Sequence, residues 1–231
     1  MKVALISDIH GNSEALSPVL EQVKRLNISK IIVSGDLVGY YYNVDLVLEM
    51  LNAWDCYFVG GNHEVMLKKW IDGFEREKIL TKYGSSLSLA TKKLSKEQIN
   101  WLVNLPHRLE VDLDGRKALI CHGTPNNVDE YVYPDSSIED WEKFQESGFD
   151  ITIYGHTHYP IVRKVGNGLV VNPGSVGQTR DRKPGACWAL WETQSHTIKL
   201  MRTTYDPKPV IEQCQKYDPE LKYLREVLVR T

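Results

Sequence analysis

The sequence has few cysteines, no long apolar run and almost no net charge, and each shortage excludes a class of protein. Its 231 residues include four cysteines, none of them in a Cys-x-x-Cys pair, which favours reduced thiols over a disulfide framework. No apolar stretch reaches the length of a membrane span, and the apolar run Val3 to Ile6 is too short for the core of a signal peptide. We therefore expect a soluble, cytoplasmic protein.

The formal net charge of −2 provides no basic field that would attract long nucleic acid. With 42% hydrophobic and 25% charged residues, the chain has an ordinary globular composition and is long enough for one large core. Because we find no repeat, low-complexity tract or linker, we expect residues 1–231 to form one domain. The sequence does not decide the oligomeric state.

Strand-like and helix-like patterns alternate over the first 60 residues. Apolar runs predict strands at Lys2 to Ser7, Lys30 to Ser34 and Cys56 to Val59. Helical spacing of apolar residues predicts a helix from Leu16 to Leu26 and another from Val44 to Trp54. This alternation is typical of a parallel sheet, in which the carboxyl ends of the strands share one edge.

The later chain changes character twice. Residues 64–104 have a helical pattern, with a capping box at Ser95 and Gln98, and we expect this segment to lie over the site as a lid. After Pro106, short strands separated by tight turns predict a second, mixed sheet. We therefore predict an α/β fold in which two mixed sheets pack together with helices outside. A C-terminal helical pattern is interrupted at Pro219.

Seven side chains that bind metals stand in five short clusters, each after an apolar run. They are Asp8, His10, Asp36, Asn62, His122, His156 and His158. Taken alone, each cluster has an ordinary explanation, such as a turn residue for Asp36 or a core histidine for His122. Asp8 with His10, and His156 with His158, are separated by one residue, so in an extended segment each pair would point one way and chelate an ion. The five clusters together favour a metal site.

This donor set suits two adjacent divalent ions if one carboxylate bridges them. Mixed nitrogen and oxygen donors fit transition metals, with Mn as the first choice and Fe, Zn, Co or Ni as alternatives. Two-metal sites are typical of phosphate ester hydrolysis.

The clusters resemble the signature of the calcineurin-like metallophosphoesterases. The matching segments are Asp8-Ile9-His10, Gly35-Asp36, Gly61-Asn62-His63-Glu64, His122-Gly123 and Gly155-His156-Thr157-His158. Within that superfamily the chain looks most like the small prokaryotic diadenosine tetraphosphatase-like or YfcE-like phosphodiesterases, on segments such as His122-Gly123-Thr124-Pro125. The resemblance implies a four-layer α/β/β/α sandwich of two mixed sheets.

The resemblance also implies a role for each residue. It assigns Asp8, His10 and His158 to one metal and Asn62, His122 and His156 to the other, with Asp36 as the bridge. It makes His63 a catalytic residue that faces the substrate and is not a ligand.

One absence narrows the subfamily. Protein serine/threonine phosphatases and the symmetrically cleaving diadenosine tetraphosphatases of that group carry an Asp-Arg pair after the Gly-Asp motif, whereas this chain has Gly39 and Tyr40 there. The sequence therefore argues against a protein phosphatase of that type.

We expect a phosphoesterase in which a metal-bridging hydroxide attacks a small phosphodiester or a dinucleoside polyphosphate such as diadenosine tetraphosphate. A phosphomonoesterase of the same mechanism is the first alternative. A non-catalytic scaffold, as in the retromer subunit of this fold, is less favoured because the ligand positions are intact.

Arg180 and Tyr40 are the candidate substrate-binding residues. Arg180, with Arg182 and Lys183, follows a glycine-rich turn and is suited to a second phosphate. The candidates for stacking against a nucleobase are Tyr40, Tyr41, Tyr42, Trp70, Phe74, Tyr83, Tyr131 and Tyr133. For Arg180 a solvated loop, and for the aromatic residues ordinary packing, remain alternatives. The expected partner is a small phosphate ester or nucleotide, with no membrane contact.

Overall fold

The computed structural model describes all 231 residues as ten strands, nine α-helices and one 3₁₀ turn. The strands are β1 Lys2–Ile6, β2 Lys30–Ser34, β3 Asp55–Val59, β4 Arg108–Leu113, β5 Arg116–Cys121, β6 Ile151–Ile153, β7 Ile161–Val165, β8 Gly168–Asn172, β9 Ala186–Glu192 and β10 Thr197–Thr203. The helices are α1 Ser13–Arg25, α2 Val44–Leu51, α3 Asn62–Ile71, α4 Arg76–Tyr83, α5 Ser86–Lys93, α6 Lys96–Val103, α7 Ile138–Glu142, α8 Lys208–Tyr217 and α9 Tyr223–Glu226, with the 3₁₀ turn at Val227–Val229. No helix is both long and apolar enough to cross a membrane.

The strands form two mixed sheets of five, as the sequence predicted. The first has the order β10-β9-β1-β2-β3 and the second the order β4-β5-β6-β8-β7. In the first, β1, β2 and β3 are parallel. In the second, β5, β6 and β8 are parallel. Each sheet therefore has a parallel centre whose carboxyl ends supply loops to one edge.

Both faces of the central strands are buried, which explains their unbroken apolar runs. Side chains alternate across a strand, so Val3 and Leu5 of β1 join a core between the two sheets. Ala4 and Ile6 of the same strand instead join a core between the first sheet and its helices. The free cysteines also agree with the prediction of reduced thiols.

The outer helical layers are unequal. Helix α1 begins at the side chain of Asn12, which accepts a hydrogen bond from the Ala15 N–H, and it packs its apolar stripe on the first sheet. The second sheet has only the five-residue helix α7 and its loop, whose Trp141 and Phe144 cover Cys121 and Tyr154. The four-layer α/β arrangement predicted from the sequence is present, with a thin fourth layer.

Helices α3 to α6 occupy the segment predicted to be helical. Leu67, Ile79, Leu87 and Leu102 bury their side chains in the core beside the first sheet, and Ser95 and Gln98 form the expected capping box. This packing fixes where the segment lies. That residues 64–104 act as a lid over the site stays a prediction.

The C-terminal helices pack on the loop that follows β2. Val210, Cys214 and Leu224 share a buried cluster with Tyr41 and Tyr42. Asp218, between α8 and α9, accepts hydrogen bonds from the Tyr42 hydroxyl and from Ser85. The C-terminal segment is thus tied to the loop after β2 and to the helical segment at once.

Candidate metal centre and active site

The structure brings all seven predicted ligands together at the facing edges of the two sheets. We call these seven residues and His63 the inner cluster. Asp8 and Asp36 follow β1 and β2, Asn62 begins α3 after β3, and His122 and His156 lie in the loops after β5 and β6. All except Asn62 are buried.

The ligating atoms converge in three groups, within each of which the atoms are no more than 4.8 Å apart. The groups are Asp8 with His10 and His158, His10 with Asp36 and His63, and Asp36 with His122 and His156. Asn62 Oδ1 lies 3.1 Å from His122 Nε2. Asp36 belongs to two groups, and its Oδ2 is 3.7 Å from His10 Nε2 and 3.2 Å from His122 Nε2.

Backbone carbonyls fix the tautomers of three histidines. The Nδ1 atoms of His10, His122 and His158 lie 2.9, 2.8 and 2.5 Å from the carbonyl oxygens of Val38, Ser34 and Gln178. Since a carbonyl only accepts, each Nδ1 carries the proton. In the neutral ring, Nε2 then points a lone pair into the cluster, which is the arrangement that metal-binding histidines require.

These lone pairs face one another without a proton to share. His10 Nε2 and His158 Nε2 are 3.2 Å apart, and His156 Nε2 is buried with no hydrogen-bond partner. Two facing lone pairs repel, and a buried polar atom without a partner is costly. A cation among these atoms removes both difficulties, so the donor set fits metal ions.

Burial and neighbouring charges set the protonation states of the histidines in the inner cluster when no metal is bound. Burial lowers the pKa of His10 to about 4 and that of His156 to about 3. Burial also acts to lower the pKa of His122, but the adjacent Asp36 carboxylate outweighs it and raises that pKa to about 10. In return, His122 holds the pKa of Asp36 well below its usual range despite burial, which opposes the shift. His122 and Asp36 are thus an ion pair at neutral pH.

The backbone at the ligands corrects one step of the sequence argument. Asp8 and His10 were expected to share a direction along an extended segment, yet their φ angles are 52° and 53°. His156 and His158, with φ of 67° and 63°, are also left-handed rather than extended. The paired histidines therefore diverge: His158 approaches Asp8, whereas His156 approaches Asp36 and His122.

Glu64 has a structural role that its place in the motif did not reveal. Its carboxylate accepts N–H bonds from Asp36, Leu37, Val38 and Gly61. The Asp36 carboxylate in turn accepts the His63 N–H at 2.9 Å. These bonds hold the loop after β2 against the start of α3, and so they hold Asp36, the predicted bridging ligand, in place. Because Gly61 has no side chain, Asp36 Oδ1 can occupy the space 2.2 Å from where a Cβ would stand.

His63 is packed among aromatic rings. Its ring centroid is 4.6 Å from that of His10, 4.8 Å from Tyr40 and 5.2 Å from Tyr83. Its Nδ1 is buried and has no partner, and a Cβ on Gly39 would lie 1.9 Å from that atom. The glycine that replaces the Asp of related motifs therefore gives His63 its space. Burial lowers the pKa of His63 well below its usual range.

Three side chains lie beside the inner cluster, and we call Tyr40, Tyr131 and Arg180 the rim. The Tyr131 ring lies 3.7 Å from the ring of His156. Arg180 Nη2 donates to the Tyr40 hydroxyl at 3.1 Å and to Gln178 Oε1 at 3.4 Å. Both candidate substrate residues thus reach the site. Tyr41 and Tyr42 are buried under the C-terminal helices, in a cluster that also includes Tyr40.

Asp129 was not anticipated from the sequence. Its exposed carboxylate lies 3.6 Å from His156 Nε2. No motif marks it, because it belongs to the loop after β5 and comes close only through folding.

Comparison with known proteins agrees with this geometry. Residues 1–196 match the Calcineurin-like phosphoesterase superfamily domain. An uncharacterized protein of Methanocaldococcus jannaschii is 34% identical over 93% of this chain and 92% of its own length. A second protein of that organism, named a phosphodiesterase, is 26% identical over 75% of this chain and 83% of its own.

Solved structures share the fold. A hypothetical protein of Pyrococcus horikoshii has a TM-score of 0.86 at 22% identity, covering 99% of this chain and 98% of its own. A metallophosphoesterase from Sphaerobacter thermophilus has a TM-score of 0.77 at 25% identity, covering 100% and 99%.

More distant structures include relatives of the expected subgroup. The phosphoesterase Yfce from E. coli has a TM-score of 0.52 at 21% identity, covering 87% of this chain and 99% of its own. A putative diadenosine tetraphosphatase has a TM-score of 0.57 at 15% identity, covering 87% and 93%. At these identities the likeness concerns the fold alone, and the expected subgroup is represented among the neighbours.

The family is metal-dependent, and the inner cluster supplies groups of His and Asp that could bind metal. The matched domain, the relatives and the convergent donors lead to one conclusion: the chain belongs to the calcineurin-like phosphoesterase superfamily and is a hydrolase of phosphoric esters.

Proposed function

We propose that this phosphoesterase uses two divalent transition-metal ions, Mn first among them, to hydrolyse a small phosphodiester or dinucleoside polyphosphate. The observation that carries the proposal is the convergence of seven donor side chains, among which His156 Nε2 is buried without a hydrogen-bond partner and the Nε2 atoms of His10 and His158 face each other. Seven donors with one shared carboxylate are suited to two ions.

The proposed ligands divide along the observed groups. Asp8, His10 and His158 would hold one ion, and Asn62, His122 and His156 the other. Asp36 would be shared, which its position between His10 and His122 supports. When bound, the ions would lower the pKa of a coordinated water and neutralise phosphoryl charge.

His63 is the proposed general acid. Hydroxide, left when that water has lost a proton to solvent, would form a bond to phosphorus as the P–O bond to the leaving group breaks, and the leaving oxygen would take a proton from His63. The burial-lowered pKa keeps His63 neutral in the free protein. An anionic phosphate beside the ring stabilises its protonated form. Substrate binding would therefore raise the pKa of His63 and favour its protonation.

The choice of a diester or polyphosphate over a monoester is supported by the rim. Tyr40 and Tyr131 offer aromatic faces next to the inner cluster, and Arg180 offers a cation. The helical segment reaches the site through Tyr83, whose ring contacts those of His63 and Tyr40. This contact supports the proposal that residues 64–104 act as a lid.

A substrate panel tests the proposed function. Bis-p-nitrophenyl phosphate, p-nitrophenyl phosphate, diadenosine tetraphosphate and cyclic nucleotides are assayed with added Mn and with chelator. We expect Mn-dependent turnover that is highest on a diester or polyphosphate. Faster turnover of p-nitrophenyl phosphate would favour the monoesterase, and no metal-dependent turnover at all would favour a scaffold.

Two variants separate catalysis from metal binding. His63→Ala should retain both metals and lose about 10²- to 10⁴-fold in kcat, the usual contribution of a general acid. Asp36→Ala should deplete both metals, measured by elemental analysis. Full activity in the first variant, or unchanged metal content in the second, would contradict the assigned role.

A further inference from the structure

Arg180 is a partly buried cation that has no carboxylate partner. Arg108 and Arg202, which are also partly shielded, pair with Glu146 and Asp181. Arg180 forms no ion pair; its only hydrogen-bond acceptors are the neutral Tyr40 hydroxyl and the Gln178 side chain. Its Nε is buried without any partner.

This arrangement is costly unless an anion joins it. A guanidinium that is shielded from water loses free energy of hydration. Hydrogen bonds to neutral acceptors offset only part of this loss when no carboxylate is present. A guanidinium offers a planar fork of N–H groups that suits two oxygens of one phosphoryl group. The unpartnered Nε–H leaves one arm of that fork free.

Two residues that contact the inner cluster, Tyr40 and Gln178, bind the Arg180 guanidinium through Nη2. Tyr40, which accepts from Arg180, lies with its ring 4.6 Å from that of His10. Gln178 accepts from Arg180 through its side chain, and its backbone carbonyl holds the ring of His158. The guanidinium therefore lies outside the His10 and His158 pair, next to the ligands but not among them.

The C-terminal segment holds this arrangement in place. The Tyr223 hydroxyl donates to Gln178 Oε1 at 3.2 Å. Gln178 Nε2 donates to the Tyr41 hydroxyl, which donates to the Leu224 carbonyl. Tyr223 and Leu224 lie beyond residues 1–196, which match the superfamily domain. The bracing of Arg180 is thus built from a part of the chain outside the common domain.

We propose that Arg180 and Tyr40 bind a second phosphoryl group of the substrate, next to the one that is hydrolysed. The substrate is then a phosphoanhydride, in which phosphoryl groups are joined directly, rather than a diester with a single phosphate. This rests on the proposed function, because the first phosphoryl group must occupy the inner cluster. Tyr223 acts as a positioning residue through Gln178.

The test compares a substrate with several phosphoryl groups and a substrate with one. Diadenosine tetraphosphate and bis-p-nitrophenyl phosphate are assayed with Mn for the wild type, Arg180→Gln, Arg180→Lys and Tyr223→Phe. Arg182→Gln is the matched control, since Arg182 is an exposed residue of the same loop. Circular dichroism and thermal unfolding verify that each variant is folded.

We expect Arg180→Gln to lower kcat/KM on diadenosine tetraphosphate by about 10- to 100-fold, chiefly through KM, as for loss of a charged hydrogen bond. The loss on bis-p-nitrophenyl phosphate should be much smaller. Arg180→Lys should restore part of the loss, and Tyr223→Phe should raise KM on the tetraphosphate a few-fold without lowering kcat. Equal losses on both substrates, or none, would overturn the second phosphoryl site.

Calorimetry keeps this test separate from turnover. Titration of the Mn-loaded protein with diadenosine tetraphosphate should show weaker binding for Arg180→Gln than for Arg182→Gln. Equal affinities of these two variants would refute the inference even if the wild type is active. Conversely, absence of metal-dependent turnover in the wild type would contradict the proposed function. The affinities of the variants for diadenosine tetraphosphate would still decide the role of Arg180.

Discussion

The inner cluster and the rim are adjacent, yet they are held by different kinds of contact. In the inner cluster, backbone groups of neighbouring loops fix the side chains: carbonyls orient His10, His122 and His158, and N–H groups hold Asp36 and Asp8. In the rim, side chains hold side chains, as when Arg180 meets Tyr40 and Gln178.

This difference suits the inner cluster and the rim to different functions. Backbone-fixed donors are suited to a constant geometry for metal and for the attacked phosphorus. Side-chain contacts between distant segments change easily with sequence, so a rim built from them is suited to substrate choice. Substitutions in the inner cluster should therefore alter kcat and metal content, whereas those in the rim should alter KM.

The largest effect should come from Gly39→Ala. A Cβ at this position would lie 1.9 Å from His63 Nδ1, so the His63 ring must move. We expect kcat to fall by at least about 100-fold, the lower range for loss of a general acid, with both metals retained. Steady-state kinetics and elemental analysis on one preparation give both quantities.

Gly73→Ala is the matched control. Gly73 also has a left-handed φ, of 86°, but a Cβ there would meet nothing within 4 Å. Both substitutions share the backbone strain, and only one displaces His63. Similar kcat losses in the two variants would show that strain, and not the position of His63, is responsible.

Glu64→Gln should have the next largest effect. The amide can accept but also donates, so it cannot satisfy the four N–H groups that now bind the carboxylate. Because these bonds fix Asp36, we expect metal affinity to fall about 10- to 100-fold, as for other residues that support a ligand. Competition with a metal-binding dye measures it.

Glu97→Gln serves as the comparison for Glu64→Gln. Glu97 is also in the first turn of a helix, but its side chain is exposed and remote from the ligands. Unchanged metal affinity in both variants would mean that Asp36 keeps its place without Glu64.

The smallest effect concerns pH and the metal-free protein. Because burial lowers the pKa of His10 to about 4 and that of His156 to about 3, the unfolded chain binds more protons between pH 6.5 and pH 4. Stability should therefore fall as the pH drops below 6.5. Burial raises the pKa of Tyr131 to about 12, so this rim residue does not titrate in that range.

Thermal unfolding in chelator at pH 7.5, 6.5 and 5.5 measures this fall, which at about 2–4 °C per kcal/mol should reach several degrees. His156→Gln should flatten the dependence, whereas His107→Gln, at an exposed histidine, should not. A midpoint that stays constant across these pH values would contradict the burial argument.

The inner cluster was largely predictable because each predicted ligand lies within a few residues of the end of a strand. Apolar runs located those strands, and β2 has the predicted limits. Strand ends of a parallel sheet meet at one edge, so adjacency in the sequence became adjacency in space. The backbone conformation was not predictable in the same way. The extended geometry assumed for Asp8 and His10 is wrong, because both have left-handed φ, and their N–H groups bond to the carbonyls of Gly35 and Asp36 on a loop distant in sequence.

The contacts that support the predicted ligands were harder to predict from the sequence. The sequence placed Glu64 only at the end of the Gly61-Asn62-His63-Glu64 motif and did not reveal its structural role. Its four N–H partners lie mainly on another loop. Tyr223 and Asp129 come near the site from segments with no recognisable pattern. Their roles depend on long-range packing, which residue spacing does not encode.

The left-handed backbone has a consequence for how the protein is maintained. Five of the seven proposed ligands are non-glycine residues with positive φ, each of which costs roughly 1 kcal/mol. The folded sheets impose this strain before any ion arrives, so metal capture selects a preformed geometry rather than creating it. Glycine at these positions would relieve strain while removing a donor. The centre is therefore a place where selection for activity opposes selection for stability.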